Sequence, residues 1–394
     1  MTERSPRLTA VVSQRFLPAY RIEFFDHLNE LLEKQGVRLL VLYNWAPGVS
    51  RTFRWALRLP AVGFHFSMNG IQDSAILCLS IVGQLARIRP SIAVLEDLGG
   101  LPSSLQAAWW CRHNHVPFLI WGLGRIPSRN PSPLRRMLGP AIEFLYSSSS
   151  GFICYSSYAA HIYERYHRKT YIALNAASAP PEPREVETLR AAFSAPRRHN
   201  GFGIVSIGRL LPQKRLNVLI DAAARIGDTP CEIHIIGDGP ERDALVRRAL
   251  DLKIANRVHF HGEIYDFMRK AEVFAACDVG VLPGRGGLAI QELMRHGLPV
   301  ISGSADGTEQ DIIEDACNGF KRDGVLTVPD LTELLARAIA TPRERWLEMR
   351  NAALDTVVKK ANISAMAHGF ADALTDTLRR SAMGPAALIH SSAS

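Results

Sequence analysis

The segment Leu282-Pro-Gly-Arg-Gly-Gly-Leu-Ala-Ile-Gln-Glu-Leu-Met-Arg-His-Gly-Leu-Pro-Val300 carries the pattern that decides the fold. Apolar runs at Asp278–Leu282 and Leu298–Ser302 predict two strands, and the pattern over Leu288–His296 predicts a helix between them. A strand, a helix and a second strand favour a parallel sheet. The glycines before the helix let the backbone approach a ligand closely, and the helix start offers unpaired N–H groups to an anion.

The same alternation of strands and helices extends along the chain in both directions. The other predicted strands are Leu8–Ser13, Val37–Tyr43, Ser91–Asp97, Pro117–Gly122, Gly151–Ser156, Tyr171–Asn175, Gly203–Gly208, Cys231–Ile236 and Arg257–His261. Between the two groups, the proline-containing segment Ala176–Asn200 predicts an interdomain linker. The sequence therefore predicts an α/β chain of two doubly wound domains, residues 1–176 and 203–361, with a linker at 177–202 and a helical end at 362–394.

Composition narrows the class of protein. The chain has 394 residues, 47% of them hydrophobic and 21% charged, which is typical of globular domains. The uncharged run Ser74–Ala86 is shorter than the roughly 20 residues that cross a bilayer, and Leu8–Val12 is shorter than a signal-peptide core. We therefore expect a cytoplasmic protein. Six widely spaced cysteines predict neither a zinc site nor a disulfide framework, and a net charge of +8 favours anionic partners.

Two cations follow the strand Gly203–Gly208 and precede a helix. Arg209 and Lys214 lie five residues apart, so both could reach a phosphate held at that helix start. The alternative is a pair of solvated surface cations. Glu292, one turn inside the helix Leu288–His296, could accept hydrogen bonds from ribose hydroxyls. Its alternative is an ordinary exposed helix glutamate.

A further segment, Asp306-Gly-Thr-Glu309, follows the strand Leu298–Ser302. It could close over a ligand. The competing interpretation makes Thr308 a helix N-cap with Asp311 at the capping-box position.

Four motifs together match a known family. They are Gly208-Arg-Leu-Leu-Pro-Gln-Lys214, Ile236-Gly-Asp-Gly-Pro-Glu-Arg242, the strand ending at His261-Gly262, and the block Gly286–Ile301. Over about residues 203–320 the chain resembles the C-terminal domain of retaining GT-B glycosyltransferases, the group called glycosyltransferase family 4 or glycosyl transferases group 1. The resemblance implies two Rossmann-like domains facing a central cleft, with a C-terminal helix packing back towards the acceptor-side N-terminal domain.

The resemblance also implies roles for individual residues. Arg209, Lys214 and Glu292 would be the catalytic residues, the first two neutralising the donor's diphosphate and the third holding its ribose. The implied donor-binding residues are Gly208, Gly237, Glu263, Ile264, Tyr265, Gly284, Gly286, Gly287, Leu288 and Ala289. No D-x-D sequence occurs in the chain, so we expect no metal site and no cofactor besides the nucleotide-sugar donor substrate.

Two positions depart from the family's pattern. Gly284 stands where the family usually has a first glutamate, eight residues before Glu292, and Leu123 stands where a histidine is common. Either backbone amides at Gly284–Gly287 contact the sugar instead, or catalysis is impaired. On the acceptor side, Glu96 and Asp97 end a strand and could face the cleft, or they could be an ordinary solvated loop pair. Arg21 and Arg125 are predicted to contact the acceptor or a phosphate.

The predicted function is metal-independent, retaining transfer of a sugar, with UDP as the expected nucleotide. The acceptor would be a cell-surface glycan or a lipid-linked saccharide. The alternatives are a nucleotide-sugar-binding or scaffold protein that has lost transfer activity, and a nucleotide-sugar epimerase of the same architecture. The basic segments Arg51–Arg58, Pro133–Met137 and Arg165–Lys169 suggest contact with an anionic membrane at its inner face, or simply surface arginines. No nucleic-acid-binding module accompanies the charge.

Overall fold

A computed structural model of the chain describes residues 8–47, 49, 51–68, 71–78, 80–124, 136–193, 201–227 and 229–383. The chain divides into two compact units. Among the described residues, unit 1 comprises those up to 124, residues 136–179 and residues 363–383. Unit 2 comprises 180–193, 201–227 and 229–362.

Unit 1 contains a parallel sheet of seven strands in the order β3-β2-β1-β6-β7-β8-β9. Its strands are β1 Leu8–Phe16, β2 Val37–Trp45, β3 Ala56–Arg58, β6 Ile92–Glu96, β7 Phe118–Gly122, β8 Gly151–Cys154 and β9 Lys169–Ile172. The accompanying helices are α1 Ile22–Lys34, α2 Ile81–Ile88, α3 Leu101–His113, α4 Gly139–Ser148 and α5 Ser157–Tyr163. The strands are nearly continuous apolar runs because helices cover both faces of a parallel sheet.

Three strands of unit 1 were not predicted from the sequence: the short edge strand β3 of the main sheet, and β4 and β5. β4 Val62–Met68 and β5 Ile71–Leu77 pair antiparallel as a separate hairpin, with Val62 opposite Leu77. The sequence between these strands is Asn69-Gly70, a dipeptide that favours tight hairpin turns. The Asn69-Gly70 dipeptide is therefore a sequence signal for this hairpin.

Unit 2 contains a parallel sheet of six strands in the order β12-β11-β10-β13-β14-β15. Its strands are β10 Phe202–Ile207, β11 Cys231–Ile236, β12 Val258–Gly262, β13 Val279–Leu282, β14 Val300–Gly303 and β15 Gly319–Arg322. The helices are α6 Pro183–Phe193, α7 Leu216–Arg225, α8 Arg242–Asp251, α9 Phe267–Ala275, α10 Leu288–Arg295, α11 Glu309–Ile312, α12 Val328–Ile339 and α13 Arg343–Lys359. The prediction of two doubly wound parallel sheets is confirmed, although the short edge strand β15 was not anticipated.

The strand order of each sheet creates one point at which the chain reverses direction across the sheet. In unit 2 this switch point lies between β10 and β13, and in unit 1 it lies between β1 and β6. In open α/β sheets, ligands bind beyond the carboxyl ends of the strands at such points. The loop of Arg209 and Lys214 and the loop of Gly284–Gly287 follow the two strands that flank the unit 2 switch point.

Among its described residues, the predicted linker at 177–202 contains a helix. Residues 183–193 form helix α6, which belongs to unit 2. Pro183 begins the helix, a position where a missing N–H does no harm. Glu185 on this helix pairs with Arg295 at 2.9 Å, and Arg190 pairs with Asp355 at 2.5 Å.

The C-terminal helix α14, Ile363–Met383, belongs to unit 1 rather than to the unit that precedes it in sequence. Its Phe370 lies in an aromatic cluster with Phe24 of α1 and Trp121 of β7, at ring-centroid distances of 5.5 and 4.9 Å. Burial of such large rings is the main favourable term in packing a helix on a sheet. The chain therefore leaves unit 1 near residue 179 and returns to it at residue 363.

Candidate functional site

The loops that follow four strands of unit 2 are hydrogen-bonded to one another. The N–H of Arg285, after β13, donates to the carbonyl of Gln213, after β10, at 3.1 Å. The N–H of Leu210 donates to the carbonyl of Asp238, after β11, at 2.8 Å. Gly237 donates in turn to Gly262, at the end of β12, at 2.7 Å. These backbone bonds form one continuous surface from the separate loops at the carboxyl edge of the sheet.

Lys214 is the most constrained cation on this surface. Its Nζ donates to the backbone carbonyl of Arg285 at 2.6 Å, and no carboxylate among the described residues lies within ion-pair distance of it. Burial lowers the pKa of the ammonium group, while the negative charges of Asp306 and Glu309 act in the opposite direction and Arg285 lowers the pKa further. A half-buried ammonium that donates to carbonyl oxygens can still attract an anion.

Two other cations belong to the same surface. Arg209 lies on the loop of Lys214 and is exposed. Arg285 lines a small hollow together with Gly208 and Lys214, and its buried Nε has no hydrogen-bond partner in the described part of the chain. The sequence pattern predicted no role for Arg285, because the glycines of this loop indicated contacts through the backbone. The structure thus places Arg285 beside Lys214, a cation to which the sequence prediction gave no role.

The start of helix α10 lies beside these cations. Gly287, with φ 57° and ψ −134°, is the N-cap residue, and Leu288 and Ala289 form the first turn. A Cβ on Gly286 would lie 2.9 Å from the Ile290 side chain, so the residue must be small for the loop to close over the helix. The first N–H groups of a helix favour negative charge, and here the N–H of Ala289 also donates to the carbonyl of Gly286 at 3.3 Å.

Gly284 lies where two loops of the surface pack closely together. A Cβ atom there would lie 2.1 Å from the carbonyl oxygen of Gln213, closer than any non-bonded contact permits. The space that a side chain would need is filled by the Arg209–Lys214 loop. The glycine therefore allows two loops to pack, which explains in physical terms why this position cannot carry the family's glutamate. Gly237 is similar, since its Cβ would lie 2.1 Å from the carbonyl of Gly208.

Glu292 forms an ion pair that sequence reasoning missed. Its Oε1 accepts a hydrogen bond from Nζ of Lys270 on helix α9, and the two side chains are 25% and 16% exposed. The partners are 22 residues apart and meet only because α9 lies against α10, so no spacing rule could have found the pair. Any ribose bound by Glu292 would share its carboxylate with Lys270.

The three residues expected at the base pocket follow the edge strand β12. Tyr265 is 82% exposed, and its hydroxyl donates to Glu263 at 2.8 Å, which raises the pKa of the tyrosine. Ile264 is half-buried against the apolar cluster that contains Leu282 and Ile290. β12 is three strands away from β13, a separation of roughly 14 Å. That span is long enough to lie along an extended nucleotide.

Asp306 and Glu309 form a buried acidic turn between β14 and α11. The Thr308 side chain caps no helix, contrary to the capping-box interpretation: its hydroxyl donates to Oδ1 of Asp306 at 2.5 Å. Glu309 is fully buried and accepts from the N–H groups of Asp306 and Gly307. Burial and the neighbouring Asp306 raise the pKa of Glu309 to about 7. The helix α11 has only four residues, so internal turn bonds replace the predicted cap.

The residues predicted on the acceptor side lie in unit 1 and are engaged internally. Arg21 is 4% exposed, and its Nη2 donates to Oδ1 of Asn175 at 2.6 Å and to the Tyr155 hydroxyl at 3.3 Å. Its guanidinium also lies 5.2 Å from the centre of the Trp121 ring. The structure places Arg21 in the core.

Glu96 and Asp97 at the end of β6 are also held by neighbours. Glu96 accepts from the N–H of Arg15 at 2.8 Å and from its Nε at 2.9 Å, while burial raises the pKa of the carboxyl. Asp97 is buried and accepts from the hydroxyls of Tyr146, at 2.5 Å, and Tyr163, at 3.0 Å. Arg125 lies outside the described residues, and the adjacent Leu123 is half-buried.

Several side chains in the basic segments proposed for membrane contact are buried or paired within the chain. In Arg51–Arg58, Trp55 is buried and donates to Asp26, with which Arg51 also pairs at 3.6 Å. Met137 is 71% exposed, while residues 133–135 lie outside the described ranges. In Arg165–Lys169, Arg165 pairs with Glu143 at 3.2 Å. Among the described helices, none has the length and apolar character needed to cross a bilayer.

Comparison with known proteins assigns the C-terminal part of the chain. Residues 201–342 match the model of the family described as glycosyl transferases group 1. A stretch of 123 residues is 34% identical to the lipopolysaccharide core biosynthesis glycosyltransferase LpsE of Rhizobium meliloti (strain 1021). That match covers 30% of this chain and 34% of the relative, so it spans about a third of the relative's length.

Solved structures resemble nearly the whole chain. The apo form of the lipopolysaccharide outer core galactosyltransferase WaaB has a TM-score of 0.68 at 16% identity, over 93% of this chain and 99% of that one. Anabaena Alr3699/HepE in complex with UDP has a TM-score of 0.66 at 16% identity, over 94% and 100% of the two chains. At this identity the likeness establishes the fold. Residues 201–342 therefore resemble the glycosyl transferases group 1 family, and the chain has the GT-B fold.

Proposed function

We propose that the chain is a glycosyltransferase that moves a sugar from a nucleoside-diphosphate sugar, with UDP as the first nucleotide to test, to a saccharide or lipid-linked acceptor. The observation that carries the proposal is the position of Lys214: a half-buried ammonium without a carboxylate in ion-pair distance in the described chain, beside the start of helix α10. A diphosphate would supply the missing negative charge. The relatives support the same class, since LpsE is named for lipopolysaccharide core biosynthesis and HepE was solved with UDP.

The donor would lie along the carboxyl edge of the unit 2 sheet. Arg209, Lys214 and Arg285 would neutralise the diphosphate, whose distal phosphate would meet the backbone around Gly287 and Leu288. Glu292 would accept a hydrogen bond from a ribose hydroxyl while Lys270 holds its carboxylate in place. The nucleobase would lie towards the loop after β12.

Sugar transfer builds negative charge on the leaving phosphate as the bond to the sugar breaks. Cations already fixed at that position stabilise the transition state more than the ground state, because they need no reorganisation. We propose transfer with retention, in which the leaving phosphate oxygen takes the proton of the incoming hydroxyl and no protein nucleophile is needed. The chain has no D-x-D sequence, so we propose that these cations do the work of a metal ion.

The test begins with a thermal-shift and calorimetry panel of UDP-, GDP- and ADP-sugars, because a bound donor stabilises the fold by mass action. A donor that binds is then incubated with saccharide and lipid-linked acceptors, with and without chelator. We expect binding, transfer with retained anomeric configuration, and full activity in chelator. Activity lost in chelator and restored only by a divalent cation would contradict metal independence.

Two other results would point to the alternative functions. Donor binding with no transfer or hydrolysis across the panel would favour a binding or scaffold protein, an alternative motivated by the missing glutamate at Gly284. An isomerised sugar formed from donor without any acceptor would favour an epimerase. Failure of every nucleotide sugar to bind would overturn the proposed function as a whole.

A further inference from the structure

The turn between β14 and α11 holds one carboxylate in a fixed orientation. Oδ1 of Asp306 accepts two hydrogen bonds from Thr308, one from its N–H at 3.1 Å and one from its hydroxyl at 2.5 Å. Glu309 fixes the same turn from the other side by accepting from the backbone of Asp306 and Gly307. The carboxylate of Asp306 is therefore fixed before any ligand arrives.

The second oxygen of this carboxylate faces the Gly-rich loop. A Cβ atom on Gly287 would lie 3.6 Å from Oδ2 of Asp306, so this oxygen points at the residue that begins helix α10. No hydrogen bond from the described residues reaches Oδ2, although the residue is 8% exposed. A carboxylate oxygen that has no donor in the described chain can accept a hydrogen bond from a ligand.

The chemistry of the surroundings decides which part of a ligand this oxygen can meet. A carboxylate repels phosphate, but it accepts hydrogen bonds from hydroxyl groups. The sugar of a nucleotide-sugar donor is attached to the distal phosphate, which is the group suited to the start of α10. The sugar hydroxyls would therefore lie close to Gly287, within reach of Oδ2.

The other carboxylates at this edge already accept hydrogen bonds from groups of the chain. Glu309 is occupied by backbone N–H groups, and Glu292 is paired with Lys270. Gly284, where the resemblance leads one to expect an acid, has its side-chain space filled by the backbone of Gln213. We propose that Asp306 binds a hydroxyl of the donor's sugar and thereby sets sugar specificity, a role that rests on the proposed function and replaces the acid missing at Gly284.

The test separates the nucleotide from the sugar. Calorimetry would measure the affinity of wild type and Asp306→Asn for UDP and for UDP-glucose, with the GDP and ADP pairs in parallel. Because Asn keeps an oxygen for Thr308, the turn should survive, and the melting temperature checks this. We expect Asp306→Asn to bind the nucleotide sugar about tenfold more weakly and the free nucleoside diphosphate within about twofold of wild type.

Deoxy-sugar donors, each lacking one hydroxyl, sharpen the result. For one of them the difference between wild type and Asp306→Asn should disappear, because the hydrogen bond is already gone. Thr308→Val is the matched control, since it removes a bond to Oδ1 but leaves Oδ2 in place; it should retain discrimination between donor sugars. If Asp306→Asn weakens nucleotide and nucleotide sugar equally, or changes neither, the inference is overturned. A wild-type chain that binds none of the nucleotides overturns the proposed function first.

Discussion

The two sheets have the same kind of switch point, but their charged residues are used in opposite ways. At the unit 1 switch point, Arg15 of β1 pairs with Glu96 of β6 at 2.9 Å. At the unit 2 switch point, Lys214 donates to a backbone carbonyl and meets no carboxylate in ion-pair distance within the described chain. At its switch point, unit 1 pairs its cation with a carboxylate of the same unit. At its switch point, unit 2 has a cation that an external anion can pair with.

Position at a strand end is therefore not sufficient evidence of a ligand site. Arg21, Glu96 and Asp97 were predicted as acceptor contacts from their position alone, and each has internal partners. Lys214 was predicted from position together with a helix start and a Gly-rich loop. A charged residue in a fold indicates a site when the fold itself leaves the charge uncompensated.

Substitution at Gly284 should produce the largest effect in unit 2. Because a Cβ atom would lie 2.1 Å from the Gln213 carbonyl, Gly284→Ala should displace the Lys214 loop and reduce both nucleotide affinity and stability by more than about 3 kcal/mol. Gly83→Ala in helix α2 is the control, because nothing lies within 4 Å of its Cβ position. It should leave stability unchanged or raise it by up to about 1 kcal/mol. Equal effects of the two substitutions would refute the packing argument.

Removal of the uncompensated cation should affect binding rather than folding. Lys214→Met keeps the length of the side chain and should weaken nucleoside-diphosphate binding by about 1.5 to 3 kcal/mol in calorimetry, with little change in melting temperature. Lys359→Met, at a side chain that is 71% exposed, should change neither quantity. Unchanged affinity in Lys214→Met would contradict its assignment to the diphosphate.

The buried acid Glu309 should make unit 2 stability depend on pH. Its pKa in the fold is about 7, above the value of 4.5 for an unperturbed glutamate, so the folded state binds more protons between these values. The free energy of unfolding should therefore fall as the pH rises from about 4.5 to about 7, by roughly 2 kcal/mol. Glu309→Gln should flatten this dependence in chemical denaturation at pH 5 and pH 7.5. The exposed Glu314→Gln should not, and equal slopes in all three proteins would count against the prediction.

The internal ion pair of unit 1 should show the opposite pattern to Lys214. Arg15→Met leaves the Glu96 carboxylate largely buried without its cation and should reduce the free energy of unfolding by about 1 kcal/mol. Nucleotide affinity should remain that of wild type. A clear loss of nucleotide binding in a folded Arg15→Met protein would show that the contrast between the two switch points is incorrect.

The sequence predicted most of the strands because parallel strands covered on both faces are continuous apolar runs. The sequence did not predict elements whose formation depends on packing against the rest of the fold. β15 has only four residues at a sheet edge, and α6 begins at one of the prolines that suggested a linker. Pro183 is compatible with both a linker and a helix start, and only packing against unit 2 distinguishes them.

The site was predictable as far as its local motifs extend. Arg209, Lys214 and the α10 start lie in two loops whose strands are neighbours, and the strand alternation was visible in the sequence. The pairing of Glu292 with Lys270 and the orientation of Asp306 depend on contacts between distant elements. Such contacts leave no periodic or spaced pattern in one sequence, so they had to be found in the structure.

The most direct measurement is a crystal structure of the chain with the nucleoside diphosphate that binds most tightly in the panel. We expect phosphate oxygens within hydrogen-bond distance of Nζ of Lys214 and of the first N–H groups of helix α10, with the ribose at Glu292. A nucleotide bound elsewhere, with Lys214 still donating only to the carbonyl of Arg285, would contradict it.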